Sequence, residues 1–167
     1  MASDPLARRI AHYGDDPELC SILGQVCELT RMGFAAIAFV NEDRWIACQV
    51  LDQIEFGLTP GGELDVSTTI CSDVRDSGRR IIIDHVREEK EWCTHPTPIL
   101  FGFQSYLSLP LFVGDDQFFG TLCAIDPTPR LLNTPELIEA IERLARRVEE
   151  ILRVRIAAAD VGEARQA

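Results

Sequence analysis

The groups best equipped for chemistry in this chain are thiols and imidazoles: six cysteines and three histidines among 167 residues. Cys93 and His95 stand two apart, with Cys71 and His85 as candidate companions. Thiolate and imidazole are good zinc ligands, but structural zinc sites use paired Cys-Cys or His-His spacings. A single Cys-x-His supplies neither, so no metal is expected. Haem ligation through His85 or His95 has no better signature. No catalytic constellation is visible, so an enzyme is not expected, and the sequence names no cofactor.

The setting of those thiols follows from the rest of the sequence. The chain begins Met1-Ala2-Ser3-Asp4-Pro5, without the basic-then-apolar pattern of a secretory signal. The longest unbroken apolar run, Phe34 to Val40, is far short of the ~20 residues a membrane span needs. Six cysteines without an export signal read as reduced cytoplasmic thiols rather than a disulfide framework. Apolar residues make up 46% and charged residues 26%, which suits a folded domain and not a disordered chain. The net charge is −11, and residues from Arg130 onward are neutral, so the first 129 carry all of it. Such a body repels phosphate backbones and anionic lipid, so neither nucleic acid nor membrane is expected as a partner.

The elements that must position the chemistry can be read from periodicity. Asp16-Pro17, then Leu19, Ile22, Leu23, Val26 and Leu29, give an amphipathic helix, with Gly33 as its stop. Phe34–Val40 and Arg44–Leu51 read as a hairpin around Asn41-Glu42-Asp43, and Leu58–Gly62 as a loop. Ser67 or Thr68 is placed to cap a short helix through Cys71 and Val74 that Gly78 closes. Ile81–Ile83 is a short strand and Asp84–Glu91 a charged crossover. Thr94–Pro98 is incompatible with helix interior, because Pro98 lacks a backbone donor and restricts its predecessor. Ser105–Val113 and Gln117–Asp126 form a second hairpin over Gly114-Asp115-Asp116. Thr134-Pro135 opens a long final helix. The order of helix, hairpin, helix, strand, crossover, hairpin and helix predicts an antiparallel α+β layer.

Four strings within residues 15–156 together resemble the GAF domain family. Gly102-Phe103-Gln104-Ser105-Tyr106 running to Pro110-Leu111 is similar to one of its strands, and Phe119-Gly120-Thr121-Leu122-Cys123-Ala124-Ile125-Asp126 to its closing strand. Thr69–Val74 with Ser77-Gly78 resembles its short helix, and Glu91-Trp92-Cys93-Thr94-His95-Pro96 fills a further family slot. The nearest pattern is that of sensory domains in bacterial histidine kinases and related signalling proteins. The resemblance implies a central six-stranded antiparallel sheet, with the N-terminal and long C-terminal helices on one face and a ligand pocket on the other. It divides the chain into an N-terminal segment at 1–14, a domain at 15–156 and a mobile tail at 157–167.

Strand alternation then sorts the side chains. Tyr106 and Ser108 share one face and Leu107 and Leu109 the other, while Thr121, Cys123 and Ile125 share a face. The leucines suit the helix side; Tyr106, Ser108, Thr121 and Cys123 suit a pocket with a few polar groups on an apolar wall. With the family slots, the expected ligand-binding set is Cys71, Trp92, Cys93, His95, Phe103, Tyr106, Ser108, Thr121 and Cys123. Counted back from Pro110, Cys93 falls where bilin-binding photoreceptor domains of the family bond a linear tetrapyrrole. There His follows Cys directly, whereas here Thr94 intervenes. Cys71 and Cys93 also lie in elements that carry cysteines in free methionine sulfoxide reductases of the family, though the flanking strings differ. The cyclic-nucleotide motif of the family is not matched at Asn133-Thr134-Pro135.

In the terminal helix Leu137, Ile141, Leu144, Val148 and Ile151 alternate spacings of four and three. From Thr134 to Ala157 it would extend about 36 Å, more than a small sheet requires. Ile141, Leu144, Val148 and Ile151 are therefore expected at a homodimer interface, the alternative being a helix packed wholly on its own sheet. Ala157-Ala158-Ala159 suggests fraying. The reading is a sensory or regulatory domain that binds a small molecule, or responds to redox state, and signals through its helices to a further signalling protein. A ligand-free dimerisation module is the remaining alternative.

Overall fold

Two helices open the chain in a computed structural model that describes residues 4–166. Residues 1–3 and 167, the extremities of the expected N-terminal segment and tail, lie outside the described residues. Helices α1 (Pro5–Tyr13) and α2 (Pro17–Thr30) start in the same way. An aspartate side chain, Asp4 or Asp16, accepts from the free amides of the first turn, and a proline follows at the first helical position. Helix α1 falls in the segment set apart by sequence, yet Ala7, Ile10 and Tyr13 are buried in the main core. Helix α2 ends at Arg31, in the left-handed region at φ 60°, rather than at Gly33. Gly33 is needed for close approach: a Cβ there would stand 2.3 Å from Ile54 Cγ2.

The strands are β1 (Phe34–Val40), β2 (Trp45–Asp52), β3 (Glu63–Leu64), β4 (Ile81–Ile83), β5 (Ser105–Phe112) and β6 (Phe118–Asp126). They form one six-stranded antiparallel sheet in the order β3-β2-β1-β6-β5-β4. The two-residue β3 has no sequence signature. Three further helices complete the fold: α3 (Cys71–Ser77), α4 (Pro96–Phe101) and α5 (Pro135–Gln166).

Helix α3 closes on left-handed Gly78, as its sequence predicts, but no side chain caps its start. Ser67 and Thr68 lie in a preceding 3-10 turn instead. Helix α4 forms across the proline-rich segment because Pro96 and Pro98 both fall in its first turn, where no amide is needed. The alanine-rich end of α5 continues as helix to Gln166, where the sequence suggested a frayed tail from 157.

The sheet divides two cores by alternation. Leu107, Leu109, Leu111, Leu122 and Ala124 pack beneath α1, α2 and α5. Phe34, Ala36, Trp45, Tyr106, Cys123 and Ile125 point to the opposite face, towards α3 and the loops around α4. The expected dimer seam belongs to the first of these cores. Ile141 and Val148 are fully buried, Ile151 is 8% exposed, and Leu144 is half-buried against the same cluster. The four-three spacing is that of any helix with one apolar stripe, and here α2 and β5 already cover it. Ion pairs from Arg147 to Glu18 and from Arg155 to Asp16 tie α5 to α2 and its N-cap.

Candidate functional site

On the sheet face away from the long helices, β5 and β6 bring polar side chains into an otherwise apolar layer. Ser108 is paired with Cys123 across the strands, and Pro110 with Thr121. Helix α3 lies over this patch and carries Cys71 as its first residue. The Cys71 sulfur is therefore met from below by three hydroxyls. Thr121 Oγ1 donates to it at 3.2 Å, the Tyr106 hydroxyl lies at 3.4 Å and Ser108 Oγ at 3.9 Å. Cys123 adjoins Cys71 as a second thiol. All five residues are buried.

Trp45, the first residue of β2, completes the surroundings. Its indole N–H is buried without a well-formed hydrogen bond, yet it is near enough to Cys71 to favour the thiolate. The two thiols are driven apart. Hydrogen bonding from Cys123, then from Thr121 and Tyr106, with the nearby Trp45 N–H the smallest influence, lowers the pKa of Cys71 although burial opposes this. Cys123 is held well above the usual thiol range by its hydrogen bond to Cys71 and by burial. Burial first, and then the proximity of Cys71, raises the pKa of Tyr106. Cys71 is thus the more readily deprotonated member of the pair. By contrast, Cys27 and Cys48 sit in the helix-side core, where burial pushes them up to about 11 and about 12.

The polar cluster opens on a narrow cavity of about 40 Å³. Cys71, Cys123, Tyr106 and Trp45 form part of its wall, and aromatic rings form much of the rest. Phe103 stacks on Tyr106 with ring centroids 5.5 Å apart, and Phe56 bridges Phe34 and Phe101 at 5.0 and 5.6 Å. Phe56, Leu64, Phe101 and Phe103 also line a wider surface groove, so these side chains separate the cavity from solvent. Drug-sized ligands occupy roughly 300–1,000 Å³. The space present suits a molecule of a few heavy atoms, and a larger one requires Phe56 and Phe101 to swing out.

Of the nine residues expected at a ligand site, Cys71, Phe103, Tyr106 and Cys123 line the cavity, and Ser108 and Thr121 support Cys71 beneath it. The other three lie elsewhere. Cys93 is exposed, with its thiol directed at the Lys90 carbonyl oxygen 3.7 Å away. His95 caps α4, its Nδ1 accepting from the Thr97 amide at 3.2 Å. Trp92 packs against the His95 ring and borders a separate groove near Arg79 and Arg80. A turn and a helix cap occupy that motif. Among the described residues no three His, Cys, Asp or Glu side chains converge as a metal site.

Sequence reasoning missed Trp45 and the rings of Phe34, Phe56 and Phe101. The available signal was the alternation of the first hairpin, where Trp45 and Ala47 face the cavity side while Ile46 and Cys48 face the helices. Phe56 and Phe101 come from irregular or short segments, for which no periodicity exists.

The family model described as GAF domain matches residues 17–152. Solved structures of similar fold include the GAF domain of an Acinetobacter phosphoenolpyruvate-protein phosphotransferase. It is 12% identical, with a TM-score of 0.68 over 92% of this chain and 94% of that one. The blue-light absorbing form of the Thermosynechococcus elongatus PixJ GAF-domain is 15% identical, with a TM-score of 0.65 over 98% and 96%. Free methionine-R-sulfoxide reductase from Neisseria meningitidis, in complex with its substrate, is 16% identical, with a TM-score of 0.62 over 95% and 96%. At these identities the likeness is one of fold. No curated protein matches.

Proposed function

The chain belongs to the GAF domain family, and from that premise we propose that it is a regulatory module that senses a small molecule in the cavity above Cys71. One observation carries the reading: a cluster of buried polar groups around Cys71, with an unsatisfied Trp45 indole N–H, opens on a cavity behind aromatic side chains. A donor buried without a partner costs free energy, and a ligand acceptor would recover it. The sheet transmits occupancy, because β5 and β6 place alternate residues against the cavity and against α5. No helix among the described residues is long and apolar enough to cross a membrane, and a cytoplasmic location suits six free thiols.

The role is regulatory rather than catalytic, with output through α5 to a second copy or a signalling partner. The surface for a second copy is the outer face of α5, where exposed Val154 and Val161 stand seven residues apart. Light scattering of a Val154→Glu, Val161→Glu double variant should give folded monomers; a folded dimer would exclude that face. Cys93, exposed and outside the cavity, gives bilin attachment no support.

Native mass spectrometry of protein purified from its own host tests the binding reading. The expected result is a non-covalent mass that Trp45→Phe, which keeps the ring and removes the donor, releases or weakens. Unliganded wild-type protein, together with identical thermal stability of the two proteins across a metabolite panel, would refute it.

A further inference from the structure

Cys71 on α3 and Cys123 on β6 both line the cavity, three hydroxyls surround the first, and the second is the cross-strand partner of Ser108, whose Oγ lies 3.9 Å from the Cys71 sulfur. We propose that this pair is a peroxide-responsive dithiol, in which Cys71 is oxidised by hydrogen peroxide and Cys123 resolves it to a disulfide that moves α3. The inference shares the cavity with the binding reading but needs no resident ligand.

The size of the cavity favours this occupant. A space of about 40 Å³ admits a molecule of only a few heavy atoms, hydrogen peroxide among them. The reacting sulfur is also set apart from the other cysteines. The hydroxyls of Thr121, Tyr106 and Ser108 converge on Cys71, whereas Cys27 and Cys48 lie in the apolar helix-side core.

The chemistry closes in two steps. The Cys71 thiolate attacks one peroxide oxygen, forming an S–O bond as the O–O bond breaks. The departing hydroxide takes up the proton that Cys71 gave up, leaving as water, and Cys71 becomes a sulfenic acid. The Cys123 sulfur then attacks the Cys71 sulfur; an S–S bond forms, the S–O bond breaks, and the hydroxyl leaves as a second water with the Cys123 proton. Two thiols lose two electrons and one peroxide gains them.

A disulfide requires a Cα separation of about 4.4–6.8 Å and an S–S bond of about 2.05 Å. Joining the two sulfurs therefore ties the start of α3 to β6 and draws the one towards the other. Helix α3 is short and carries no side-chain cap at its start, so it offers little resistance. Its displacement reshapes the cavity roof and gives the redox state a structural readout.

The whole chain should be treated with a few equivalents of hydrogen peroxide, alkylated under denaturing conditions and digested without reductant. The expected product is a Cys71–Cys123 peptide pair lighter by two hydrogens than the two thiol peptides. It should form before the exposed Cys20 and Cys93 are oxidised. In Cys123→Ala, circular dichroism confirming the fold, dimedone should label Cys71 and no Cys71 disulfide should form. Intact Cys71 at peroxide levels that oxidise Cys20 or Cys93 would overturn the proposal. So would a Cys71 sulfenic acid in wild-type protein that never proceeds to the Cys123 disulfide. Either result leaves non-covalent binding untouched, and a wild-type protein without a bound metabolite leaves the dithiol untouched.

Discussion

Truncating Val148 to alanine separates a helix that holds its own domain together from one that holds two chains together. Val148 is fully buried between α5, α2 and the sheet. The substitution removes two methyl groups from that contact. At about 0.8 kcal/mol per buried carbon, the transfer loss is about 1.6 kcal/mol, and incomplete collapse of the void raises it to about 2–3 kcal/mol. For a domain of this size each kcal/mol lowers Tm by about 2–4 °C, so the expected drop is about 4–12 °C. Because the lost contact is within one chain, the drop should be the same over a hundredfold range of protein concentration. Ile99→Ala, at a site 70% exposed on α4, should change stability by less than about 0.5 kcal/mol. Val148→Glu should not fold, since an unpaired carboxylate would be placed in the core. Thermal unfolding followed by circular dichroism, with light scattering in parallel, reads all three. A Val148→Ala protein of unchanged monomer stability but weakened self-association would refute the assignment of this stripe to the intrachain core.

Two further outcomes follow from backbone geometry and charge. Gly120→Ala should be severely destabilised, read as loss of soluble protein or of the cooperative thermal transition, because its Cβ would stand 1.7 Å from the Ala38 carbonyl oxygen on the central strand β1. Asp52 accepts the amides of Ile54, Phe56 and Gly57 at 3.1, 3.0 and 2.8 Å; burial raises its pKa, but these bonds outweigh it and the folded value lies below the ordinary one. Its contribution is therefore complete above the unfolded pKa of about 3.9 and is lost as pH falls through the lower folded value. Asp52→Ala should be less stable than wild type at pH 7, and the two should converge in acid; a constant difference from pH 7 to pH 2 would be the contrary result.

Much of the fold was legible because the strong signals are local. The apolar run Phe34–Val40, the Thr134-Pro135 helix start and the left-handed Gly78 each encode a backbone state within a few residues. Strand alternation placed Tyr106 and Cys123 on the face opposite Leu107 and Leu109, where they are found. The misplaced features are those whose outcome depends on a partner distant in sequence. Helix α1 has a face of only Ala7, Ile10 and Tyr13, which becomes a core face because β2 and α5 lie against it. Arg31 takes the left-handed position usually left to glycine, while Gly33 is reserved for contact with Ile54, 21 residues away.

The candidate site divides in the same way. Sequence alone determined that Tyr106 and Ser108 share one face of their strand and Thr121 and Cys123 one face of theirs, because a strand has a period of two whatever surrounds it. It also determined that α5 carries one continuous apolar stripe. Only the tertiary structure decided what those surfaces meet. The stripe of α5 fits a partner helix or its own sheet equally well by periodicity, and α2 and β5 fill it first. Cys71 and Cys93 are each one thiol in a short segment, and nothing local distinguishes them. Packing of α3 over β5 and β6 buries the first against Thr121, Tyr106 and Cys123, whereas the turn before α4 leaves the second in solvent. A hydrogen-bond environment is assembled from strands that meet only in the folded chain, so the reactivity of a cysteine is a property of the fold and not of its neighbours in sequence.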